Sequence, residues 1–307
     1  MSTARPPTTP AAPTLRAIAS GLGAKLVLVY PAADPTAVLA AIDEDVARDP
    51  WDRALSYVVR MEDFSGGLAA ARAFGLACDH AVARVLAAGG RDNLAGTLDR
   101  LADERRRVAA DAGLATADDF GRVRHEAPDI LNPRTPLLSR NLESGAVVAC
   151  RYTPYLARAE AVLAEGDGRL HVRMGLTASG SVELTHTRRA RTPWKDDLEW
   201  AHPPSPGFPA MLAHAEEVFG RALACPRDEV LSVVAELHWW LAHVSRYRRG
   251  SAAIADMSCK LVLEARGIAV PAWRAGIAPD LEAYVTPLGE YRAAYPTLFH
   301  QLPKEIE

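Results

Sequence analysis

The strongest constraint on this chain lies between Glu229 and Gly267, where two apolar helical patterns meet at one short basic loop. Val230, Val233, Val234, Leu237, Leu241 and Val244 recur at three- and four-residue steps, the spacing that lines one side of a helix with apolar side chains. His238, Ala242 and Ser245 share another face. A second helix is expected to open at Ser251, whose hydroxyl can accept a hydrogen bond from a free N–H of the first turn. It should close at Arg266 and Gly267, a cation and then a residue that tolerates left-handed dihedrals. Ile254, Met257, Leu261 and Ala265 form its buried stripe. Because adjacent helical residues point in different directions, one of Trp239 and Trp240 is expected at the surface, where it would mark a homodimer face.

The loop places Arg246, Arg248 and Arg249 directly before a helix start, where unpaired N–H groups and the positive end of the macrodipole favour an anion. A solvated turn pairing with surface carboxylates is the plainer reading of any such charge run. Two features tip the expectation toward a pocket for a phosphate or carboxylate. Gly250 lets a backbone approach a ligand, and the preceding helix is rich in His and Trp. His238 and His243 are the nearest acid/base candidates.

At these residues a resemblance enters. A helix with His-x-x-Leu-x-x-Val, a Gly-containing loop and a helix ending in Ala-Arg-Gly resembles the central segment of Fic-domain proteins. The stretch from His202 to Leu212 is similar to the Pro-Pro segment that precedes it there, and Leu170 to Thr187 sits where that family has its hairpin flap. The resemblance covers roughly residues 168 to 270 and is one of arrangement, like that of effectors that keep the fold without the motif. The family's catalytic His falls on Ser245, its Phe on Tyr247, its first Gly on Gly250 and its Asn on Ser251, while its two motif arginines fall on Ala253 and Asp256. Only the glycine matches. The resemblance therefore implies a Fic-like transferase that is not a standard AMP transferase, with Ser245 at the catalytic position and Tyr247, Gly250, Ser251 and the three arginines binding ligand. It leaves the cofactor open between a nucleotide and a nucleotide-activated substrate.

Composition bounds the alternatives. With 307 residues, 49 % hydrophobic and 24 % charged, the chain is globular, and a net charge of −3 argues against a nucleic-acid partner. No run approaches the roughly 20 apolar residues of a membrane span. Met1 to Pro13, built of Pro, Thr and Ala, reads as a disordered leader and not a signal peptide. Cys78, Cys150, Cys225 and Cys259 lack zinc or redox spacing, so a cytoplasmic protein with reduced thiols is expected.

Residues 14–135 read as an α/β lobe. It has strands at Lys25 to Tyr30 and Ala54 to Met61, a helix from Asp34 to Val46, and alanine-rich helices from Gly67 to Ala88 and Asn93 to Ala112. Residues 136–307 read as a helical domain carrying the hairpin 170–187, so the fold class expected is mainly α. Ser139 to Ser144 reads as a helix turn, and no regulatory role is assigned to Glu143. The hairpin alternates, with His171, Arg173, Gly175 and Thr177 on a polar face that would look down on a ligand, and Val172, Met174 and Leu176 on the other. Asp196, Asp197 and Glu199 read as a solvated face and not a metal site. Three functions remain: the transferase, a small-molecule biosynthetic enzyme and a catalytically inactive binding module. The partner is a small-molecule or protein substrate.

Overall fold

The run from residue 230 to 244 contains one formally charged side chain, Glu236, and is otherwise too apolar around its circumference to leave a face in water. The structure, a computed structural model, buries it on every side. It describes residues 67–114, 116–124, 134–136, 139–140, 147–148, 155–189, 198–270, 272–274, 277–300 and 302. The leader, the two strands expected before residue 62 and the helix at 34–46 lie outside them.

In chain order the helices are α1 (Gly67–Ala87), α2 (Leu94–Asp111), α3 (Leu156–Ala164), α4 (Phe208–Ala224), α5 (Val230–Val244), α6 (Ser251–Ala265), α7 (Pro279–Val285) and α8 (Leu288–Ala294). The strands are β1 (Arg134–Pro136), β2 (Ser139–Arg140), β3 (Val147–Val148), β4 (Leu170–His171), β5 (Met174–Thr177), β6 (Gly180–Glu183), β7 (His186–Arg189) and β8 (Leu198–Ala201). Ser139 and Arg140 thus form a strand paired with β3, and not the helix turn expected there. The described residues are mainly α, as expected. No helix among them is long and apolar enough to cross a membrane.

α5 is the axis, touching α4, α6, α7 and α8. This corrects the one-sided stripe read from the sequence. It also removes the argument for a dimer face, because Trp239 and Trp240 are both buried. Helices on opposite sides of α5 give the two rings separate pockets. The Trp239 indole N–H donates to the Thr286 carbonyl (3.0 Å), and Trp240 packs on the His214 ring of α4 at 4.5 Å between centroids. One pair of charges is drawn deep inside. Lys260 lies 3.2 Å from Asp256, which also accepts from the Trp273 indole (3.0 Å), so a position aligned with a Fic motif arginine holds a core ion pair.

α2 begins where Asn93 caps it, its side chain accepting from the Gly96 N–H at 2.7 Å. α6 begins differently from the expectation. Gly250, at φ 86°, is its cap residue. The Ser251 hydroxyl accepts from the Tyr247 N–H (2.9 Å) and donates to the Tyr247 carbonyl (3.0 Å), closing the loop and not the helix. Gly267 ends α6 in the left-handed region, as read from the sequence.

The antiparallel sheet has the order β1-β8-β7-β4, and β5 and β6 form a separate hairpin. The polar face turns inward, but Arg173 on it meets the end of α7 and not the loop arginines over which it was expected to look. Arg173 and Thr177 point inward, while Leu170, Val172, Met174 and Leu176 are 41 %, 47 %, 51 % and 77 % exposed. The polar groups go inside because each finds a partner there. Arg173 donates to the Thr286 carbonyl (2.7 Å), and its N–H donates to His186 Nδ1 (3.2 Å). Gly175 sits where a Cβ would lie 2.5 Å from Cη2 of Trp240. Gly175→Ala should therefore lower stability by about 1–3 kcal/mol through overpacking, measured by urea unfolding. Equal stability would mean that the hairpin does not press on α5.

Candidate functional site

The basic loop is held between two backbone irregularities. α5 ends at Ser245 in the left-handed region (φ 41°), and Gly250 returns the chain into α6. A left-handed serine is uncommon and persists only where its surroundings hold it. The holder is the segment 116–124, which runs along the loop as a strap. Gly121 N–H donates to the Arg249 carbonyl (3.1 Å), Arg248 N–H to the Arg122 carbonyl (2.8 Å) and Arg124 N–H to the Arg246 carbonyl (3.0 Å).

The three loop arginines do not converge on one point. Arg246 lies 3.4 Å from Asp99 and over the Tyr247 ring at 5.5 Å. Arg248, half-exposed, pairs with Asp119 at 3.2 Å. Arg249 donates to the Thr116 hydroxyl (2.7 Å) and stacks over Phe120 at 5.1 Å. Carboxylates and aromatic faces of α2 and the strap thus supply much of the compensation for three adjacent cations. Tyr247 turns inward, its hydroxyl donating to the Leu98 carbonyl (3.2 Å), and burial raises its pKa.

The histidines lie deeper. His243 is fully buried. Its Nδ1 accepts from the Thr185 N–H (3.2 Å) and its Nε2 faces the Ala283 carbonyl at 3.1 Å, which sets the proton on Nε2. Burial above all, with Arg173 second, drives its pKa well below 6.5. His238 is also fully buried, with Nδ1 3.0 Å from the Tyr295 hydroxyl and its ring edge-on to Trp273. Neither histidine lines a cleft with the loop arginines among the described residues. Arg173 acts on His243, and its guanidinium is held by the Ala283 and Thr286 carbonyls at the end of α7. Of the carboxylate cluster, Glu199 pairs with Arg188 at 2.8 Å, and Asp196 and Asp197 lie outside the described residues.

The sequence reading missed Arg124. Its Nε donates to the Ser245 carbonyl (2.7 Å) and its Nη2 to Val244 (3.0 Å) and Pro203 (3.1 Å), so one guanidinium closes the C-terminus of α5. Its carbon Cζ stands 4.8 Å from the Phe208 ring centroid. No carboxylate pairs with it among the described residues, and burial lowers its pKa to about 10. Arg124 and Arg246 line one open cleft of about 530 Å³ beside the start of α4. No local signal in the sequence marks Arg124, which lies in a stretch rich in Asp, Pro and Arg and acts on residues 120 positions away.

His202 is buried beside these groups, with Nδ1 3.1 Å from the Thr185 hydroxyl. Burial first and the Arg124 charge second pull its pKa from 6.5 to about 3. The unfolded chain takes up a proton near pH 6.5 that the folded chain refuses until about pH 3, so stability falls as pH drops through this window. Between pH 7 and pH 5 the loss from His202 should be about 2 kcal/mol, seen as a lower urea midpoint. His202→Asn should flatten that part of the profile. An unchanged profile would mean that the ring is solvated.

With this geometry in hand, the comparisons with known proteins bear on the C-terminal helices. A family of avirulence proteins (AvrB_AvrC) matches residues 195–302, from just before β8 through α8. Avirulence protein B of Pseudomonas savastanoi pv. glycinea is 30 % identical over 93 residues, 30 % of this chain and 29 % of the relative. The chain thus spans under a third of the length of the curated relative it matches. These matches correct the Fic-domain resemblance, together with the Fic-like transferase and biosynthetic readings attached to it: residues 195–270, the larger part of the stretch that carried the resemblance, fall within the match to avirulence proteins. The hairpin and the strap lie outside the matched residues, and the chain is similar to avirulence proteins over its C-terminal third.

Proposed function

We propose that this protein works by binding a protein target, the kind of partner that a likeness to avirulence proteins suggests. The observation that carries the reading is the exposure of Leu170, Val172, Met174 and Leu176, four large apolar side chains at alternate positions from the start of β4 into β5. Four such side chains within seven residues are enough to seat a segment of another protein. Contiguous exposed apolar surface is costly in water and marks interaction sites more often than scattered single residues do. The inward pressure of Gly175 on Trp240 and the Arg173 bonds to α7 hold the stripe outward on a rigid base, which lowers the ordering cost of binding. The commitment of both His243 ring nitrogens favours binding over acid–base transfer at that residue.

Photo-crosslinking tests this reading. With benzoylphenylalanine at position 176, exposure to host extract should yield a discrete adduct that is absent when the probe sits at position 107 on α2. Met174→Asp should abolish the adduct while leaving the unfolding midpoint within about 0.5 kcal/mol, as surface substitutions usually do. An adduct that survives Met174→Asp, or one made only with a second copy of this chain, would overturn the proposal.

A further inference from the structure

The cleft beside the start of α4 presents charge of one sign against an apolar floor. Arg124 is only 9 % exposed, yet its partners are carbonyl oxygens and an aromatic face, so its positive charge is hydrogen-bonded but not neutralised among the described residues. Removing a guanidinium from water without a counter-ion is expensive, and a bound anion would offset that cost. Arg246 lines the same cleft from the loop, and its one described carboxylate, Asp99, is largely exposed and 3.4 Å away. Ser205 lies at the rim of the cleft, in the short turn Ser205–Gly207 that runs directly into α4. Phe208, Pro209 and Leu212 complete the lining with apolar surface. A volume of about 530 Å³ falls within the range of roughly 300–1,000 Å³ of small-molecule sites.

We propose that this cleft binds an organic acid, with the carboxylate held between Arg124 and Arg246 and an apolar body lying on Phe208, Pro209 and Leu212. Inorganic anions would meet the two cations but leave the apolar floor wet. Neutral analogues of the same shape would leave the buried charge uncompensated. Because the loop position and the strap both contribute, the site forms only when residues 116–124 are docked along 246–249. It is independent of the apolar stripe on the hairpin.

The test uses the full chain and three probes: 3-phenylpropionate, its amide, and inorganic phosphate. Isothermal calorimetry at low salt should show saturable binding of 3-phenylpropionate, with the amide and phosphate each at least about tenfold weaker, the scale of one charge-assisted hydrogen bond. Affinity for the acid should fall as salt is raised. Arg124 closes α5, so Arg124→Gln risks the fold. Arg246→Gln keeps the backbone bond to Arg124 and should weaken 3-phenylpropionate about tenfold without shifting the unliganded melting temperature. Equal binding of acid and amide, equal binding of acid and phosphate, or an unchanged affinity in Arg246→Gln would each overturn the proposal.

Discussion

Everything in this structure depends on the burial of α5 from all sides. A helix with Val, Leu, Ala and Trp around its whole circumference must be enclosed, and enclosing it dictates a ring of four helices with the hairpin pressed on Trp240. The consequence reaches beyond packing. Most polar groups that α5 carries are satisfied inside the ring: Glu236 meets Arg221 at 2.7 Å and His243 is bonded at both nitrogens, while the Trp240 indole N–H has no hydrogen-bond partner among the described residues. His243 so placed locks the core and resists protonation, and a residue that looks catalytic in the sequence becomes part of the framework.

The same enclosure creates a difficulty at the C-terminus of α5, where the last carbonyls are buried with no further turn to receive. Arg124 resolves it from a distant segment, donating to the carbonyls of Val244 and Ser245. That solution fixes the loop, draws the strap along it and brings a buried positive charge to the wall of a cleft. The loop arginines, which drew attention first, are largely occupied with Asp99, Asp119, Thr116 and aromatic faces. Charge density in a sequence counts cations but not the carboxylates that fold back upon them.

The hairpin makes the same point with opposite sign. Its alternation is clean, and alternation divides residues between two faces without saying which face is buried. The usual rule puts the apolar face inward. Here Arg173 and Thr177 are inward because the carbonyls ending α7 and the turn at Gly180 satisfy them, and the apolar set is left in solvent. Four large apolar side chains left exposed from β4 into β5 are a surface suited to a partner.

What the sequence determined by itself was local. Helix α5, helix α6, the paired helices α1 and α2 and the left-handed exit at Gly267 all follow from residues within about four positions of one another, where periodicity and capping act. Even there, Ser251 was assigned to cap α6 and instead closes the loop onto Tyr247. The tertiary structure decided which faces are covered, which arginine keeps its charge and which histidines can titrate. Each of these depends on contacts between residues far apart in the chain, such as the 121 positions from Arg124 to Ser245. Burial and charge pairing are set by whatever lies opposite a side chain in space, and no periodicity along the chain encodes that neighbour.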